Sequence, residues 1–446
     1  MADYMALDTG ELFAQRYVID RALGEGDRKK TYLAGDRKMG RDVALSFVKP
    51  EAMLLDPEGT EREAKVLGRI GIHDNIVSLF DYEIAHDGSA QYMVFEYLRG
   101  GTLAGYLQAH GPLPPGQLFR LGRQLCRGLA HLHDAGLIHR DISPENIWLD
   151  ERNVAHLGDF DSAVMISGDG GSLPITTGRF ASPEELAGQP LDIRADLYSL
   201  GGVLHVAATG KAYPGDRRLL ALRTDLPTSF ADLLQVMLAE LPADRPANAA
   251  QVLESLRAAE RASDVEGLIA AGESEKVEFK SSLHRPHGEM PREKRKKIEA
   301  GVLTPTQAIQ EVQRELRKSV TKTIAAFLNA SGGTLIIGID DSGAALGIEH
   351  DYKYLEPSNR SADGWLLSLG EVVQNALGKD VWGLLTVPLV RYQDVVVAVV
   401  QAPASASETW HQGDRDQQHF FVRSANSTTE LTGPSLLRYA REHFSG

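Results

Sequence analysis

Residues 139–146 read His139-Arg140-Asp141-Ile142-Ser143-Pro144-Glu145-Asn146, and this stretch identifies the fold of the first half of the chain. The aspartate of this pattern can orient and deprotonate a hydroxyl group, and its asparagine can hold a metal ion. Asp159, in Asp159-Phe160-Asp161, lies eighteen residues beyond Asp141. A carboxylate at that distance can chelate a Mg²⁺ ion that bridges nucleotide phosphates. The spacing therefore predicts a site that handles phosphate groups.

Three further motifs follow in order: Ser182-Pro183-Glu184, then Asp196, then Arg245. In order and spacing the whole set resembles the eukaryotic-like Ser/Thr protein kinase family over residues 17–262. The resemblance implies a bilobal α+β fold, with a strand-rich lobe before a helical lobe. It also implies ATP and Mg²⁺ or Mn²⁺ as cofactors, and a protein substrate or autophosphorylation. The residues that it implies for ATP and its metal ion are Gly24, Gly26, Lys29, Ala44, Glu96, Asn146 and Asp159, of which Asn146 and Asp159 would hold the metal.

The sequence departs from the kinase pattern where the phosphate-binding lysine is expected. The strand that should read Val-Ala-Ile-Lys ends in Ser46, and the third glycine of the loop that begins at Gly24 is Lys29. One interpretation is a pseudokinase. The other is similarity to the with-no-lysine kinases, in which a loop residue replaces the strand lysine. Lys29 would then pair with Glu63, and Lys49 is the poorer substitute because strand alternation points it to the other face.

Two more substitutions bear on the same question. Ser143 replaces a lysine that many Ser/Thr kinases place near the γ-phosphate, and Asp161 replaces the glycine of Asp-Phe-Gly. An active kinase, with Asp141 as its base, and an inert pseudokinase therefore both remain open.

Other residues of this half have structural interpretations. We expect Glu184 and Arg245 to form an ion pair in the helical lobe, and Asp196 to cap the backbone near His139. Cys126 lies on an apolar helical face and is expected in the core.

The second half opens with a helix that ends at Gly272 and a strand that begins near Lys276. On this strand Glu278 and Lys280 share one face. A helix over 310–329 leads to the apolar strand Leu335-Ile336-Ile337-Gly338-Ile339, which is expected at the centre of a sheet. Asp340-Asp341-Ser342-Gly343 follows as a turn with two carboxylates.

This half resembles the Schlafen/AlbA-like domain, an α/β nucleic-acid domain. The resemblance implies a metal-dependent RNA endonuclease, with tRNA as one candidate substrate, in which Glu273, Glu278 and Asp341 bind Mg²⁺ or Mn²⁺. Lys280 would contact the phosphate that is cleaved. Three close carboxylates repel one another by ~1–4 kcal/mol per pair unless a cation neutralises them. The alternative is a domain that binds nucleic acid without cleaving it.

A basic island interrupts this pattern, and residues 281–330 carry a net charge of +5 in a chain of net charge −14. Such a run is usually a solvated loop. It is also the best candidate contact for a phosphate backbone, with RNA more likely than DNA. No aromatic residues are interleaved, so the sequence favours binding without base stacking. The candidate residues are Arg292, Lys294, Arg295, Lys296 and Lys297.

The predicted organisation is an N-terminal extension (1–16), a kinase-like domain (17–262) and a Schlafen/AlbA-like domain (263–446) with a basic insertion (281–318). The join is placed where a helix over 250–261 gives way to the capping pair Ser263-Asp264. A single cysteine, no signal peptide and no apolar run of ~18 residues favour the cytoplasm, without membrane contact. Because mammalian Schlafen cores join two lobes, we expect a homodimer through 264–446.

The leading hypothesis from sequence is an atypical Ser/Thr kinase coupled to an RNA endonuclease in bacterial defence or stress response. The competing hypothesis is a pseudokinase scaffold beside a non-cleaving nucleic-acid-binding regulator.

Overall fold

A computed structural model describes residues 6–26, 28–56, 58–85, 90–166, 178–211, 223, 225–284, 290–413 and 417–444. The chain divides into two compact units, residues 1–260 and 261–446. No helix in the described ranges combines the length and the apolar character that crossing a bilayer requires.

The first unit begins with a strand-rich lobe around one antiparallel sheet. The strand order in this sheet is β1-β2-β3-β4-β6-β5. Its inward side chains, among them Tyr32, Leu45 and Phe47, form an aromatic and aliphatic core. The elements are β1 (Leu12–Phe13), β2 (Tyr17–Glu25), β3 (Lys29–Asp36), β4 (Arg41–Val48), α1 (Pro50–Leu55), α2 (Gly59–Ile70), β5 (Leu79–Ile84) and β6 (Gln91–Glu96).

A mainly helical lobe follows, built around a long amphipathic helix whose apolar face includes Leu125, Cys126 and Leu129. Cys126 is buried in this core, which confirms the expectation from its helical spacing. The elements are β7 (Gly101–Thr102), α3 (Leu103–His110), α4 (Pro115–Asp134), β8 (Leu137–Ile138), β9 (Ile147–Leu149), β10 (Ala155–Leu157), β11 (Val164–Met165), α5 (Pro183–Leu186), α6 (Arg194–Thr209), α7 (Thr228–Met237) and α8 (Ala249–Ala271). The predicted α+β class, with strands before helices, is confirmed.

Helix α8 corrects one detail of the predicted organisation. The sequence analysis ends a helix at Arg261 and starts another at Ser263-Asp264, but α8 continues from Ala249 to Ala271 without a break. A capping residue can remain inside a helix when the surrounding residues keep the apolar period, and here Ala262 and Val265 are both buried. The division between the two units lies within this helix.

The second unit is an α/β fold around a four-stranded mixed sheet of order β12-β13-β15-β14. The expected central position of the apolar strand is confirmed, because β13 lies between a parallel and an antiparallel neighbour. A smaller sheet has the order β16-β17-β18. The strands are β12 (Val277–Lys280), β13 (Gly333–Ile337), β14 (Leu389–Tyr392), β15 (Val395–Ala402), β16 (His411–Gln412), β17 (Gln418–Ser424) and β18 (Ser427–Leu431).

Helices cover both faces of the main sheet. Val320 and Trp365 pack in the core on one face, and Val265 of α8 packs on the other. The helices after α8 are α9 (Arg292–Glu299), α10 (Pro305–Leu328), α11 (Ala362–Leu377) and α12 (Gly433–Phe444). Helix α10 begins earlier than predicted because Thr304 and Gln307 form a capping box at its start.

The basic island is helix α9, and the expectation of a solvated loop there is wrong. Lys294 is 7% exposed, and its ammonium lies 2.5 Å from Glu311 and 2.9 Å from Glu315, both on α10. These ion pairs attach α9 to α10. Part of the predicted insertion, residues 285–289, lies outside the described residues.

Candidate functional site

The loop between β8 and β9 holds Asp141 next to Asn146. The Asn146 amide donates hydrogen bonds to the Asp141 carboxylate at 2.8 Å and to its carbonyl oxygen at 3.0 Å. Burial raises the pKa of Asp141, and the nearby Asp159 raises it further. Arg140 and Asp159 both have positive φ angles, 70° and 58°, a left-handed conformation that is uncommon for residues other than glycine. The segment that carries Asp141 and the segment that carries Asp159 therefore both contain a residue with this constrained backbone conformation.

The carboxylate of Asp196, on α6, holds the backbone of the loop between β8 and β9 in place. This fully buried carboxylate accepts hydrogen bonds from the backbone N–H groups of His139 and Arg140, each at 2.9 Å. His133 approaches the same carboxylate at 2.8 Å. Burial alone would raise the pKa of Asp196, but these partners outweigh it and lower the pKa. The predicted cap near His139 is confirmed.

Two buried ion pairs involve Glu184 and Glu185 of α5, and the second of them ties the loop between β8 and β9 to this helix. Glu184 and Arg245 form the expected pair through two hydrogen bonds of 2.6 and 2.8 Å, which confirms that prediction. The neighbouring Glu185 accepts a hydrogen bond from Arg140 at 3.0 Å. This second pair was not predicted, because nothing local to Glu185 in the sequence points to Arg140.

Lys29, at the start of β3, lies at the centre of a cluster of carboxylates. Its ammonium is 2.5 Å from Glu63 of α2, 2.9 Å from Asp161 and 4.0 Å from Asp159. Burial alone would lower the pKa of Lys29, but the three carboxylates outweigh it and raise the pKa. The structure thus brings together the lysine and the glutamate that the sequence analysis paired, and it adds Asp161.

Ser46 and Lys49 do not reach this cluster. Ser46 is buried on β4, and its hydroxyl lies 3.0 Å from that of Thr31 on the neighbouring strand. Lys49 follows β4 and forms an ion pair of 2.7 Å with Glu25. Of the two lysines that could replace the missing one, only Lys29 therefore contacts Glu63.

The remaining residues expected at the nucleotide lie on the same sheet. Gly24 pairs with Thr31 across β2 and β3, and an added Cβ there would meet nothing within 4 Å. Gly26 donates a backbone hydrogen bond of 2.9 Å to the carbonyl of Lys29. Ala44 and Glu96 lie on the adjacent strands β4 and β6.

One group of carboxylates in the described residues is compact enough to hold a metal ion. It consists of Glu63, Asp159 and Asp161, whose ligand oxygens lie within 4.8 Å of one another. Lys29 already neutralises part of this charge. Asp159 is the least buried of the three and is the carboxylate best placed to meet a cation bound to phosphate.

In the second unit Glu278 lies between two cations on the half-buried face of β12. Lys280 donates to one of its oxygens at 2.5 Å, and the Arg423 guanidinium lies 2.7 Å from the other. Val277 and Phe279 are buried on the opposite side, as the strand alternation predicts. The glutamate is thus neutralised by the protein itself.

Glu273, Glu278 and Asp341 do not form a group whose ligand oxygens lie within 4.8 Å of one another in the described part of the chain. Glu273 accepts a hydrogen bond of 2.8 Å from the backbone N–H of Phe279 and acts as a local cap. Asp341 is exposed in the turn after β13. The metal centre that these three carboxylates would form therefore stays a prediction.

The candidate nucleic-acid contacts on α9 are not equivalent. Lys294 is buried in its pairs with Glu311 and Glu315, so its prediction as a phosphate contact is wrong. Lys297 pairs with Glu293 at 3.1 Å. Arg292, Arg295 and Lys296 are exposed.

Sequence reasoning missed Arg423, which the structure places at the centre of this region. Besides Glu278 it contacts the backbone carbonyls of Ser274 and Glu275 at 2.8 and 3.2 Å, and it stacks over the ring of Phe327. The only signal for it was the weak match of Phe421-Val422-Arg423-Ser424 to the domain pattern, which carries no partner information.

Comparison with known families divides the chain in the same way. The family model for the protein kinase domain matches residues 17–256. The family model for Schlafen, AlbA_2 matches residues 273–432, a region that contains Glu273, Glu278 and Arg423.

The curated relatives that the chain resembles include three serine/threonine-protein kinases. Serine/threonine-protein kinase PknB of Mycolicibacterium smegmatis is 32% identical over 215 residues, which are 46% of this chain and 34% of the relative. PknB of Mycobacterium leprae is 34% identical over 208 residues, 44% of this chain and 33% of the relative. PknB of Mycobacterium tuberculosis is 32% identical over 274 residues, 56% of this chain and 43% of the relative. The chain thus spans well under half the length of these relatives.

Proposed function

This chain belongs to the protein kinase family, and on that premise we propose that its first unit is an active Ser/Thr kinase in which Lys29 replaces the missing strand lysine. The observation that carries the proposal is the 2.5 Å contact between Lys29 and Glu63. A buried Lys–Glu pair of this kind presents an ammonium at fixed position to the nucleotide phosphates.

The other residues suit ATP with Mg²⁺ or Mn²⁺. Bound ATP would supply the phosphoryl group and its metal ion would neutralise phosphate charge. Asp159 and Asn146 offer oxygen ligands to that ion, and Asp141 orients the substrate hydroxyl and takes its proton. Asn146 positions the Asp141 carboxylate through its hydrogen bond of 2.8 Å.

The alternative is a pseudokinase, and Asp161 is the observation that favours it. Its carboxylate lies 2.9 Å from Lys29, where a phosphate oxygen would have to bind. Purified protein with labelled ATP and Mn²⁺ decides between them: autophosphorylation that is lost in Lys29→Ala and in Asp141→Asn supports the kinase. Absence of both phosphotransfer and nucleotide binding in the wild type supports the pseudokinase.

For the second unit we propose binding of nucleic acid, RNA rather than DNA. The support is the match to the Schlafen, AlbA_2 model, together with the net charge of +5 over residues 281–330. A region of net positive charge attracts a phosphate backbone even in a chain that is acidic as a whole. Filter binding of a labelled RNA by the full-length protein, at several salt concentrations, tests this directly.

A second candidate function, RNA cleavage that depends on Mg²⁺ or Mn²⁺, is favoured by the same domain match. Glu278 would hold the cation and Lys280 would hold the phosphate. Glu273 and Asp341 do not form a preformed group of metal-binding carboxylates with Glu278. Incubation with total RNA and Mn²⁺ tests it. Products that vanish both with EDTA and in Glu278→Ala support cleavage, and no products in the wild type leave the binding function alone.

We propose that the kinase unit controls the nucleic-acid unit by phosphorylation, in a bacterial defence or stress response. The pairing of a signalling enzyme with a nucleic-acid module in one chain motivates this role. A homodimer through 264–446 remains part of the proposal, and light scattering at micromolar concentration measures it. A monomer with full RNA binding would contradict the dimer.

A further inference from the structure

One face of the second unit carries two lysines that the sequence analysis mentioned only as a continuation of the basic island. Lys318 and Lys322 lie one turn apart on α10, so they share a side of the helix. Both are half-buried. Among the residues that the structure describes, neither has a carboxylate oxygen within 4.0 Å. Half-buried lysines without a counter-ion are unusual in a chain with an excess of acidic residues.

The position of these lysines is fixed by the small sheet beneath them. The Lys322 ammonium lies 4.7 Å from the centroid of the Phe421 ring on β17. Between the two lysines, the Thr321 hydroxyl lies 2.8 Å from Nε2 of His411. His411 is 3% exposed, and its other ring nitrogen has no hydrogen-bond partner in the described structure. The lysines are therefore attached to a rigid support and do not extend freely into solvent.

The electrostatic surroundings show that this positive charge is not compensated. Burial lowers the pKa of Lys322, and repulsion from Lys318 lowers it further, while Glu430 offsets only part of the shift. Burial, Lys318 and Lys322 together lower the pKa of His411 to about 4. Glu430 is itself hydrogen-bonded to His419 at 2.6 Å. An anion that binds here would relieve the repulsion.

The positive charge continues along β17 to the pair of Glu278 and Arg423. Residues two apart on a strand lie on the same face about 7 Å apart, so Arg423 follows Phe421 on the side that faces α10. Arg423 stacks over Phe327 of α10, which confirms its side of the strand. Arg423 is 5% exposed and already pairs with Glu278, so the cations of this face that a ligand can reach are Lys318 and Lys322.

A row of separated cations suits a linear polyanion better than a single small anion. The Phe421 ring is 3% exposed and is covered by Lys322, so it does not offer a surface for base stacking. Contacts would therefore go to the phosphates and carry little sequence preference. Helix α9 is the weaker surface, because Lys294 and Lys297 already have carboxylate partners.

We propose that the face of α10 that carries Lys318 and Lys322, next to Phe421 of β17, binds the phosphodiester backbone of an RNA strand and leads it towards Glu278. This inference rests on the proposed nucleic-acid function of the second unit, and it names the surface that performs it. Lys318 and Lys322 bind phosphate, whereas Arg423 is buried and stays paired with Glu278.

The test compares two double variants of the full-length protein that remove the same number of charges. Lys318→Gln/Lys322→Gln alters the proposed face, and Lys379→Gln/Arg391→Gln alters two exposed cations elsewhere in the second unit. Binding of a fluorescent oligouridine is measured by anisotropy between low and physiological salt. We expect the first variant to bind at least tenfold more weakly, with a salt slope smaller by about 1.4 for two lost single-strand contacts. We expect the second variant to bind within about twofold of the wild type.

Two further measurements keep the result interpretable. Lys318→Arg/Lys322→Arg keeps both charges. It should restore at least half of the binding free energy that Lys318→Gln/Lys322→Gln loses. A loss of binding that came from a folding defect would not be restored in this way. Polyglutamate at equal charge should compete poorly. A wild type that binds oligouridine while the Lys318/Lys322 variant does so equally well overturns this inference alone. A wild type that binds no RNA overturns the proposed nucleic-acid function as well, and strong competition by polyglutamate indicates an acidic protein partner instead.

Discussion

The two candidate sites contain the same kinds of side chain in opposite proportions. In the first unit one buried ammonium, Lys29, faces the carboxylates of Glu63, Asp159 and Asp161. In the second unit one carboxylate, Glu278, faces Lys280 and Arg423. An excess of carboxylates favours a ligand that brings cations with it, such as a nucleotide with its metal ion. An excess of cations favours a bare polyanion.

The titration behaviour of the neighbouring groups follows the same division. Burial raises the pKa values of Asp141 and Glu63, and neighbouring carboxylates add to the shift. Burial lowers the pKa values of His284 and His411 to about 4, and neighbouring cations add to the shift. Burial favours the neutral form of each of these groups, and neighbouring charges add to that shift or, as Asp351 does at His284, oppose it.

The largest effect is expected at Asp141. Asp141→Asn keeps the size of the side chain but removes the group that takes the proton, so phosphotransfer should fall about a thousandfold. Nucleotide affinity should change less than about threefold, because Asp141 does not contact Lys29. Autophosphorylation rates and fluorescent-nucleotide titration measure the two quantities. A variant with normal phosphotransfer would remove Asp141 from the mechanism.

Lys29 provides the next test, with Lys49 as the matched control. Lys29→Ala should weaken nucleotide binding by about tenfold to a hundredfold, because a charge-assisted contact to phosphate contributes about 1.5–3 kcal/mol. Lys49→Ala should have an effect of less than about twofold, since Lys49 pairs with Glu25. Isothermal titration with ATP and Mg²⁺ measures both variants. Equal losses in the two would show that the loop lysine has no special role.

The second unit should lose stability in mild acid because of His284. Its Nδ1 accepts from Arg317 at 2.9 Å, and burial holds its pKa at about 4, below the ordinary value of about 6.5. The unfolded chain therefore takes up a proton that the folded unit rejects. This contribution, about 2–3 kcal/mol, is fully present above pH 6.5 and is lost as the pH falls towards 4.

Hydrogen exchange with mass spectrometry between pH 7 and pH 5 measures this loss separately in each unit. His284→Gln removes the titrating ring, so the second unit of that variant should show a shallower dependence on pH. An unchanged slope in the variant would place the acid sensitivity elsewhere, with His411 as the next candidate.

The smallest effect is expected at Asp161, and it bears directly on the pseudokinase alternative. Asp161→Asn removes a negative charge 2.9 Å from Lys29, so the lysine becomes more available to phosphate. We expect nucleotide affinity to rise about threefold to tenfold, whereas Glu25→Gln, which removes a carboxylate from the Lys49 pair, should change it little. Weaker binding in Asp161→Asn would instead identify Asp161 as a contributor to the nucleotide site.

The kinase half was largely predictable because its motifs are short and their order in the chain is fixed by the fold. Asp141 and Asn146 lie on one loop, and their hydrogen bond needs only that loop. The contact between Lys29 and Glu63 could also be inferred, because the resemblance to the with-no-lysine kinases pointed to Lys29 and strand alternation made Lys49 the poorer substitute. The third partner, Asp161, could not be inferred as such, since it lies 132 residues from Lys29 and nothing in the sequence relates the two charges.

The second half shows where a local pattern is insufficient. The spacing of Glu273 and Glu278 suggested a common metal ion, but Glu273 is occupied by the N–H of Phe279. The run of basic residues on α9 suggested one uniform surface, but helix formation turns Lys294 inward towards Glu311 and Glu315. In both cases a side chain has a partner that charge and spacing along the chain do not reveal.

The sequence by itself was enough to show which family model each half resembles, the order of strands and helices, and which residues are candidates for catalysis or binding. These depend on short-range properties: the period of apolar residues, capping residues and the spacing of motifs. Only the tertiary structure decided which charges meet. It placed Arg423 against Glu278, Asp161 against Lys29, and Lys322 over the ring of Phe421. The physical reason is that an ion pair depends on a few ångströms of separation, which the packing of distant segments sets and the sequence of either segment does not.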